Sequence, residues 1–391
     1  MPDSESQDLQ ERMIDWRHDI HRHPELGFDV LRTASKVCDV LKGLGIETHE
    51  GVGGSGVVGV LRRGSGNRAI GFRADMDALP IQEANEFPHR STTDGVFHGC
   101  GHDGHTAMLL GGASRLVAEG GFDGTVYLIF QPSEEDGRGA LAMIEDGLFE
   151  RFPMESVFGM HNMPGIPAGR FAVRKGAIMT SEDIFVITVR GRGGHASMPE
   201  RTVDPVVVGA EIVLALQSIV ARSVGPRDWG VVSVTEFLTD GARNVIPSTV
   251  EIRGDCRALS TDTQRLIESR MRDIVAGVCA AHGADGDVLY RNDFVPTVNT
   301  ADETDACIRV AQTVAGVAQV DPDCPTCGAS EDFAQMLRRK PGCYILIGNG
   351  ESGHCGHSLH NPNYDMNDEI MDIGARYWAG LARHVLPEHP S

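Results

Sequence analysis

Three short apolar runs in this 391-residue chain end in the same way. AIGFRA (69–74) leads into Asp75-Met-Asp77, TVYLIFQ (125–131) into Pro-Ser-Glu134-Glu135, and SVFGMH (156–161) ends on His161. A short, continuous apolar run is the pattern of a strand buried on both faces, as in a parallel sheet covered by helices. Open α/β sheets gather their ligands outside the carboxyl ends of such strands. Two adjacent carboxylates just past a buried strand are costly unless something positive meets them. Taken singly, each feature has an ordinary explanation: an acidic surface loop for Glu134-Glu135, a satisfied buried imidazole for His161.

Between these runs lie helix-like segments at 31–45, 105–119 and 139–149, with a further strand at 55–62. The alternation implies an α/β layer with a largely parallel sheet. The middle of the chain differs. DIFVITVRG (183–191) alternates as a half-exposed strand, and Asp204–Ser223 reads as a long helix opened by Asp-Pro. Strands at 230–238 and 249–259, a capped helix Thr261–Ala281 and a strand at 288–294 follow. The order β-α-β-β-α-β is the split βαβ, ferredoxin-like pattern. Helices at 302–318, 331–339 and 366–385 and the apolar strand 343–348 resume the first pattern. The expected architecture is one discontinuous α/β domain, residues 1–179 and 295–391, interrupted by an α+β domain at 180–294.

A formal net charge of −20 argues against a nucleic-acid partner, because such a surface repels phosphate. The first twenty residues are polar and acidic, without the apolar core of a secretory signal. Val206–Leu216 is too short and too amphipathic for a bilayer span. Nine scattered cysteines, an odd number, fit free thiols in a reducing compartment. A cytoplasmic protein with no membrane partner is expected.

The densest motif is Gly99-Cys100-Gly101-His102-Asp103-Gly104-His105. Thiolate and imidazole are strong ligands for borderline metals, and the glycines let the backbone turn both toward one point. The plain alternative is a Gly-rich turn in which Asp103 caps Thr106. Ser358-Leu359-His360-Asn361-Pro362 adds a histidine in a turn. Cys324 and Cys327 have the spacing of a zinc pair, and His354-Cys355-Gly-His357 lies downstream; these are either a separate structural zinc site or incidental thiols. His18 and His21, three apart, have a usable ligand spacing, with a structural role as the alternative.

Segments from HRHPELGF (21–28) through RADMDALP (73–80), GCGHDGHTAMLLG (99–111), FQPSEE (130–135), GMHNMP (159–164), GGHASMP (193–199), NVIP (244–247), GASEDFA (328–334) and SLHNPNYDMND (358–368) resemble, in order, the two-metal aminoacylase family that includes hippurate hydrolases and indole-acetyl-amino-acid hydrolases. The resemblance implies a zinc-peptidase-like catalytic domain and an inserted lid that commonly forms a dimer contact. It implies Cys100, His102, Glu135, His161 and His360 as ligands of two divalent metal ions (Zn, Mn, Co or Ni), Glu134 as catalytic acid/base and Asp75 as a supporting carboxylate. His195 matches the family histidine that reaches the site from the lid, often from the partner subunit, to meet the oxyanion. Asn244 and Arg257 match residues that can bind the amino-acid part of the substrate; the alternative for Arg257 is an ion pair with Asp255. Relatives outside this branch carry a histidine where this chain has Arg73. The implied activity is hydrolysis of the amide bond of N-acyl amino acids by a homodimer. A dipeptidase or an N-carbamoyl-amino-acid hydrolase on the same scaffold is the alternative.

Overall fold

The computed structural model describes residues 4–388. The chain divides into two compact units. One comprises residues up to Ile178, Val298–Pro325 and those from Asp332 on; the other comprises Met179–Thr297 and Thr326–Glu331. The short segment 326–331 reads from sequence as part of the first unit. It joins the second because the Thr180 amide donates to the Ala329 carbonyl at 3.0 Å and Arg257 Nη1 donates to Ser330 Oγ at 2.9 Å.

The first unit holds an eight-stranded mixed sheet. Its centre is four parallel strands in the order Gly124–Gln131, Ala69–Asp75, Ser156–Pro164 and Gly342–Gly350. The first two of these are buried along their full length, as their unbroken apolar runs require. Registers of Asp75 opposite Gln131 and His161 opposite Leu346 bring the acid- and histidine-bearing ends to one edge of the sheet. Antiparallel strands Glu47–Val52 and Gly56–Arg63 flank this centre on one side. Glu47–Val52 (ETHEGV) escapes an apolar reading because it is an edge strand, mostly exposed.

Helix His102–Glu119 lies against helices Ser4–Arg22 and Met371–Val385 at very close range. A Cβ on Gly111 would meet Met13 Sδ at 2.1 Å, and one on Gly112 would meet Trp378 Cβ at 2.6 Å. That approach explains the small residues of TAMLLGGAS.

Several helices are shorter than their apolar spacing suggests. The 139–149 helix breaks into Gly139–Glu145 and Leu148–Arg151 at Gly147, whose φ is 83°. The helix expected at 302–318 ends at Ala315, before Gly316 with φ 96°. The one expected at 331–339 contracts to Ala334–Leu337, because the Asp332 side chain and amide are engaged elsewhere. The last helix starts at Met371, after a 3-10 turn at Asp368–Ile370.

The second unit has an antiparallel sheet in the order Gly230–Thr239, Thr249–Ala258, Glu182–Arg190 and Asp285–Phe294. Two helices, Pro205–Ser218 and Thr261–His282, pack on it through Val208, Ile212, Leu216, Ile267, Met271 and Val275. Asp204 caps the first by accepting from the Val206 amide at 2.9 Å. A π-helical turn extends it to Ser223. That nineteen-residue stretch is long and apolar enough to cross a membrane by length and composition, contrary to the reading of 206–216 alone. The extra turn supplies the length, while Val208, Ile212 and Leu216 sit in the core of the unit and Val207 and Leu214 are exposed.

Candidate active site

Cys100 and His102 sit where a turn enters the long helix, with Gly101 as its N-cap. Gly101 has φ 91°, and a Cβ there would meet Asn162 Oδ1 at 2.4 Å and Tyr364 OH at 2.5 Å, so only glycine fits. Asp103 does not cap the helix; it accepts from Arg17 Nη1 at 3.2 Å and from His21 Nδ1 at 2.9 Å. His102 Nδ1 lies 2.8 Å from the Asp77 carbonyl oxygen. A carbonyl only accepts, so Nδ1 carries a proton and Nε2 is the ring atom left to face a metal. That Nε2 is buried with no hydrogen-bond partner among the described residues. His161 repeats the arrangement. Its Nδ1 donates to the Asn162 carbonyl at 2.6 Å, and its Nε2 lies 3.4 Å from Cys100 Sγ. Rings oriented from behind in this way are the usual support for metal-binding imidazoles.

The two glutamates follow a strained corner. Ser133 has φ 56°, rare for a residue with a side chain. The Asp77 carboxylate holds the corner by accepting the Glu134 amide at 3.0 Å and the Glu135 amide at 3.1 Å. Glu135 Oε1 comes within 3.9 Å of His102 Nε2, and its Oε2 within 3.5 Å of His360 Nε2. Glu134 Oε2 lies 4.0 Å from His102 Nε2. His360 also has positive φ, 64°, and its amide donates to the Gly99 carbonyl at 2.8 Å. Its ring is half exposed, so this side of the site opens to solvent.

Donor atoms of Cys100, His102 and His161 all lie within 4.8 Å of one another, and so do those of Cys100, Glu135 and His360. Cys100 belongs to both groups. Burial, reinforced by Glu135, Glu134 and Asp75, pushes its thiol well above the ordinary range. Burial, with Asp77 and Asp75 adding to it, raises Glu135 to about 7 against the pull of His102. His161 is held neutral by burial and by His105. Burial lowers His102, but Asp75, Asp77 and Glu135 outweigh it and raise the ring to about 10, so a proton there brings the positive charge that these carboxylates demand and that a metal would replace. Soft and borderline donors with an orphaned Nε2 and an orphaned Glu135 Oε1 fit a divalent cation, which would reverse the shift of the thiol.

Asp75 stands just behind. It accepts from His105 Nδ1 and from Arg73 Nη1, each at 2.6 Å. Burial opposes its ionisation, but His102, His105 and Arg73 hold its carboxyl well below the usual range.

In the second unit, His195 is exposed in the short strand Gly194–His195, and its Nδ1 accepts from the Ser197 amide at 3.2 Å. Asn244 is exposed, and its carbonyl accepts from Ala196. Arg257 is paired with Asp255 and Glu182, each at 3.0 Å, so the ion-pair alternative is the arrangement seen. No group of potential ligands among the described residues includes Cys324, Cys327, Cys355, His354 or His357.

From sequence, Asp77, His105, Asn162 and Asp332 carry no assigned role. Asp77 was visible beside Asp75, but nothing in its spacing shows that it binds amides 57 and 58 residues away.

Comparison with known proteins identifies the family. Peptidase family M20/M25/M40 matches residues 71–384. A hippurate hydrolase of Campylobacter jejuni is 42% identical over 97% of this chain and 98% of its own length. Thermostable carboxypeptidase 2 of Saccharolobus solfataricus is 37% identical over 96% of this chain and 95% of its own. A crystal structure from Bacillus subtilis, described as a dinuclear metal-binding peptidase of the M20 family, superposes with a TM-score of 0.85 at 30% identity, over 97% of this chain and 99% of its own. With a family match over most of its length and relatives along nearly all of it, the chain is a hydrolase of peptidase family M20/M25/M40.

Proposed function

We propose that the protein hydrolyses the amide bond of N-acyl amino acids with two divalent ions held by Cys100, His102, Glu135, His161 and His360. One observation carries the reading: two donor groups share Cys100 and together contain all five of these residues, with Glu134 alongside. The relatives named hippurate hydrolase and dinuclear metal-binding peptidase support it.

Ions bound there would supply Lewis acidity, polarising the scissile carbonyl and making water more acidic. The chain does the rest. Glu134 takes a proton from the attacking water and delivers it to the leaving nitrogen. The Asp77 clamp on both amides keeps Glu134 and Glu135 pointing to separate tasks. His195 donates to the oxyanion as it develops. Asn244 and Arg257 receive the carboxylate of the amino-acid portion, Arg257 through Nη2, because its Nε and Nη1 donate to Asp255 and Glu182.

A homodimer is part of the same reading. Val207 and Leu214 are exposed on the Pro205–Ser218 helix, and Phe237 and Leu238 on the edge strand Gly230–Thr239. An open strand edge beside exposed apolar side chains is a ready surface for a second copy.

The deciding experiment incubates metal-reconstituted protein with N-acetyl-, N-benzoyl- and N-carbamoyl-amino acids and with dipeptides. Turnover of the N-acyl compounds is expected. Cleavage of the carbamoyl compounds or dipeptides alone would shift the substrate class, and inertness toward every amide would end the proposal.

A further inference from the structure

Arg73 ends up in an unusual place for a guanidinium. It lies 1% exposed at the end of a central strand, behind the candidate metal centre. A buried charge is costly unless it is paired and hydrogen-bonded, and each nitrogen of this one donates to an acceptor. Nη1 donates to Asp75 Oδ2 at 2.6 Å, Nε to Gln131 Oε1 at 2.9 Å, and Nη2 to Asp332 Oδ1 at 3.0 Å. The Phe333 ring faces the group, 5.8 Å from its centroid.

The partners belong to separate segments, and two of them bear on Glu134. Gln131 lies three residues before it in the chain. Asp332 has both carboxylate oxygens occupied: Oδ1 accepts from Arg73 and, at 2.7 Å, from Gln131 Nε2, while Oδ2 accepts the Ala140 amide at 2.8 Å. A residue tied so completely has a fixed backbone. Its own amide donates to Glu134 Oε1 at 3.4 Å. The distance is long for such a bond, as bonds around a catalytic carboxylate often are before substrate arrives. Packing alone does not require this arrangement, because a well-fitted apolar cluster commonly serves a core as well as a buried ion pair. The fork of arginine can hold three acceptors in fixed directions, which lysine cannot.

We propose that Arg73 and Asp332 are positioning residues for Glu134: their ion pair fixes the residue-332 amide against the carboxylate that moves the proton. This rests on the proton role assigned to Glu134 above. It predicts effects on turnover, not on substrate binding or metal content.

The test is steady-state hydrolysis of an N-acyl amino acid by metal-loaded Asp332→Asn, in the wild-type and Glu134→Gln backgrounds. Ion content and the visible spectrum of the cobalt-loaded protein are recorded alongside. In the wild-type background kcat should fall about 100-fold, the scale of a misplaced catalytic group. KM should stay within about threefold, and ion content and spectrum should not change. In Glu134→Gln the same substitution should alter the residual kcat by less than about twofold, because its effect runs through the missing carboxylate. Arg73→Lys, which keeps the charge and loses the fork, gives a second reading if Asp332→Asn folds poorly; a kcat loss of about tenfold at unchanged KM is expected. Equal losses in both backgrounds, or wild-type kcat in both variants, would overturn the pair. Wild-type kcat in Glu134→Gln alone would strike the proton role itself, and the positioning pair with it.

Discussion

Glu134 and Glu135 are neighbours in the chain, yet only one of them approaches His360. The division makes a pair of opposite expectations. Glu134→Gln should keep both ions and lose about 100-fold or more in kcat, the usual contribution of a general base. Glu135→Gln should lose bound metal. Kinetics and elemental analysis of the two variants separate these outcomes, and matching defects would refute the division of labour. His195→Ala should lower kcat by about 100-fold with little change in KM if the ring serves the oxyanion; near-normal kcat would remove it from the mechanism. At this scale the sequence is legible where residue type alone suggests chemistry. Cys100, His102 and His161 are ligand types at strand ends and in a Gly-rich turn. Asp77 and Asp332 are not legible in the same way, since their importance lies in amides and a guanidinium that arrive from distant segments. The pairing of Arg257 with Asp255 stood open in sequence and is what the fold shows.

Secondary-structure elements were legible in proportion to how apolar they are. The buried strands that carry Asp75 and His161, and the one leading to Glu134, announce themselves by unbroken runs. The polar edge strand Glu47–Val52 does not, and helix ends at Gly147 and Gly316 are set by backbone conformation that apolar spacing ignores. The N-terminal helix Ser4–Arg22 carries a buried network that spacing alone disguises as a possible metal pair. Arg17 binds Asp103, Asp365 and Asp368, and His21 binds Asp103 and Glu83. Burial pulls the His21 pKa down, but the hydrogen bonds that its ring donates to Asp103 and Glu83 outweigh it and raise the value to about 9. A raised folded-state value means that the charged imidazole stabilises the fold. That contribution is complete below the unfolded value near 6.5 and is lost as pH rises through 9, a change of roughly 3 kcal/mol. Thermal melts from pH 7 to 10 should therefore show a falling midpoint in the wild type. His21→Gln should melt lower at pH 7 and fall less steeply. Parallel curves for the two proteins would show that His21 is not charged in the fold.

For the whole molecule, the two units have distinct folds: a mixed sheet with a parallel centre in one, a ferredoxin-like antiparallel sheet in the other. The apolar residues left exposed on the second unit give the dimer proposal its test. Leu214→Glu places a charge on that surface and should shift the protein from dimer to monomer in sedimentation at micromolar concentration, without lowering its melting temperature. An unchanged dimer would move the interface elsewhere. In the proposed centre one thiol, Cys100, serves two ions, and counting ions puts this to the test. Elemental analysis of reconstituted, desalted protein should find two divalent ions per chain in the wild type and fewer than one in Cys100→Ala, because both donor groups lose a shared ligand. Two ions retained by Cys100→Ala, or one at most in the wild type, would contradict the account.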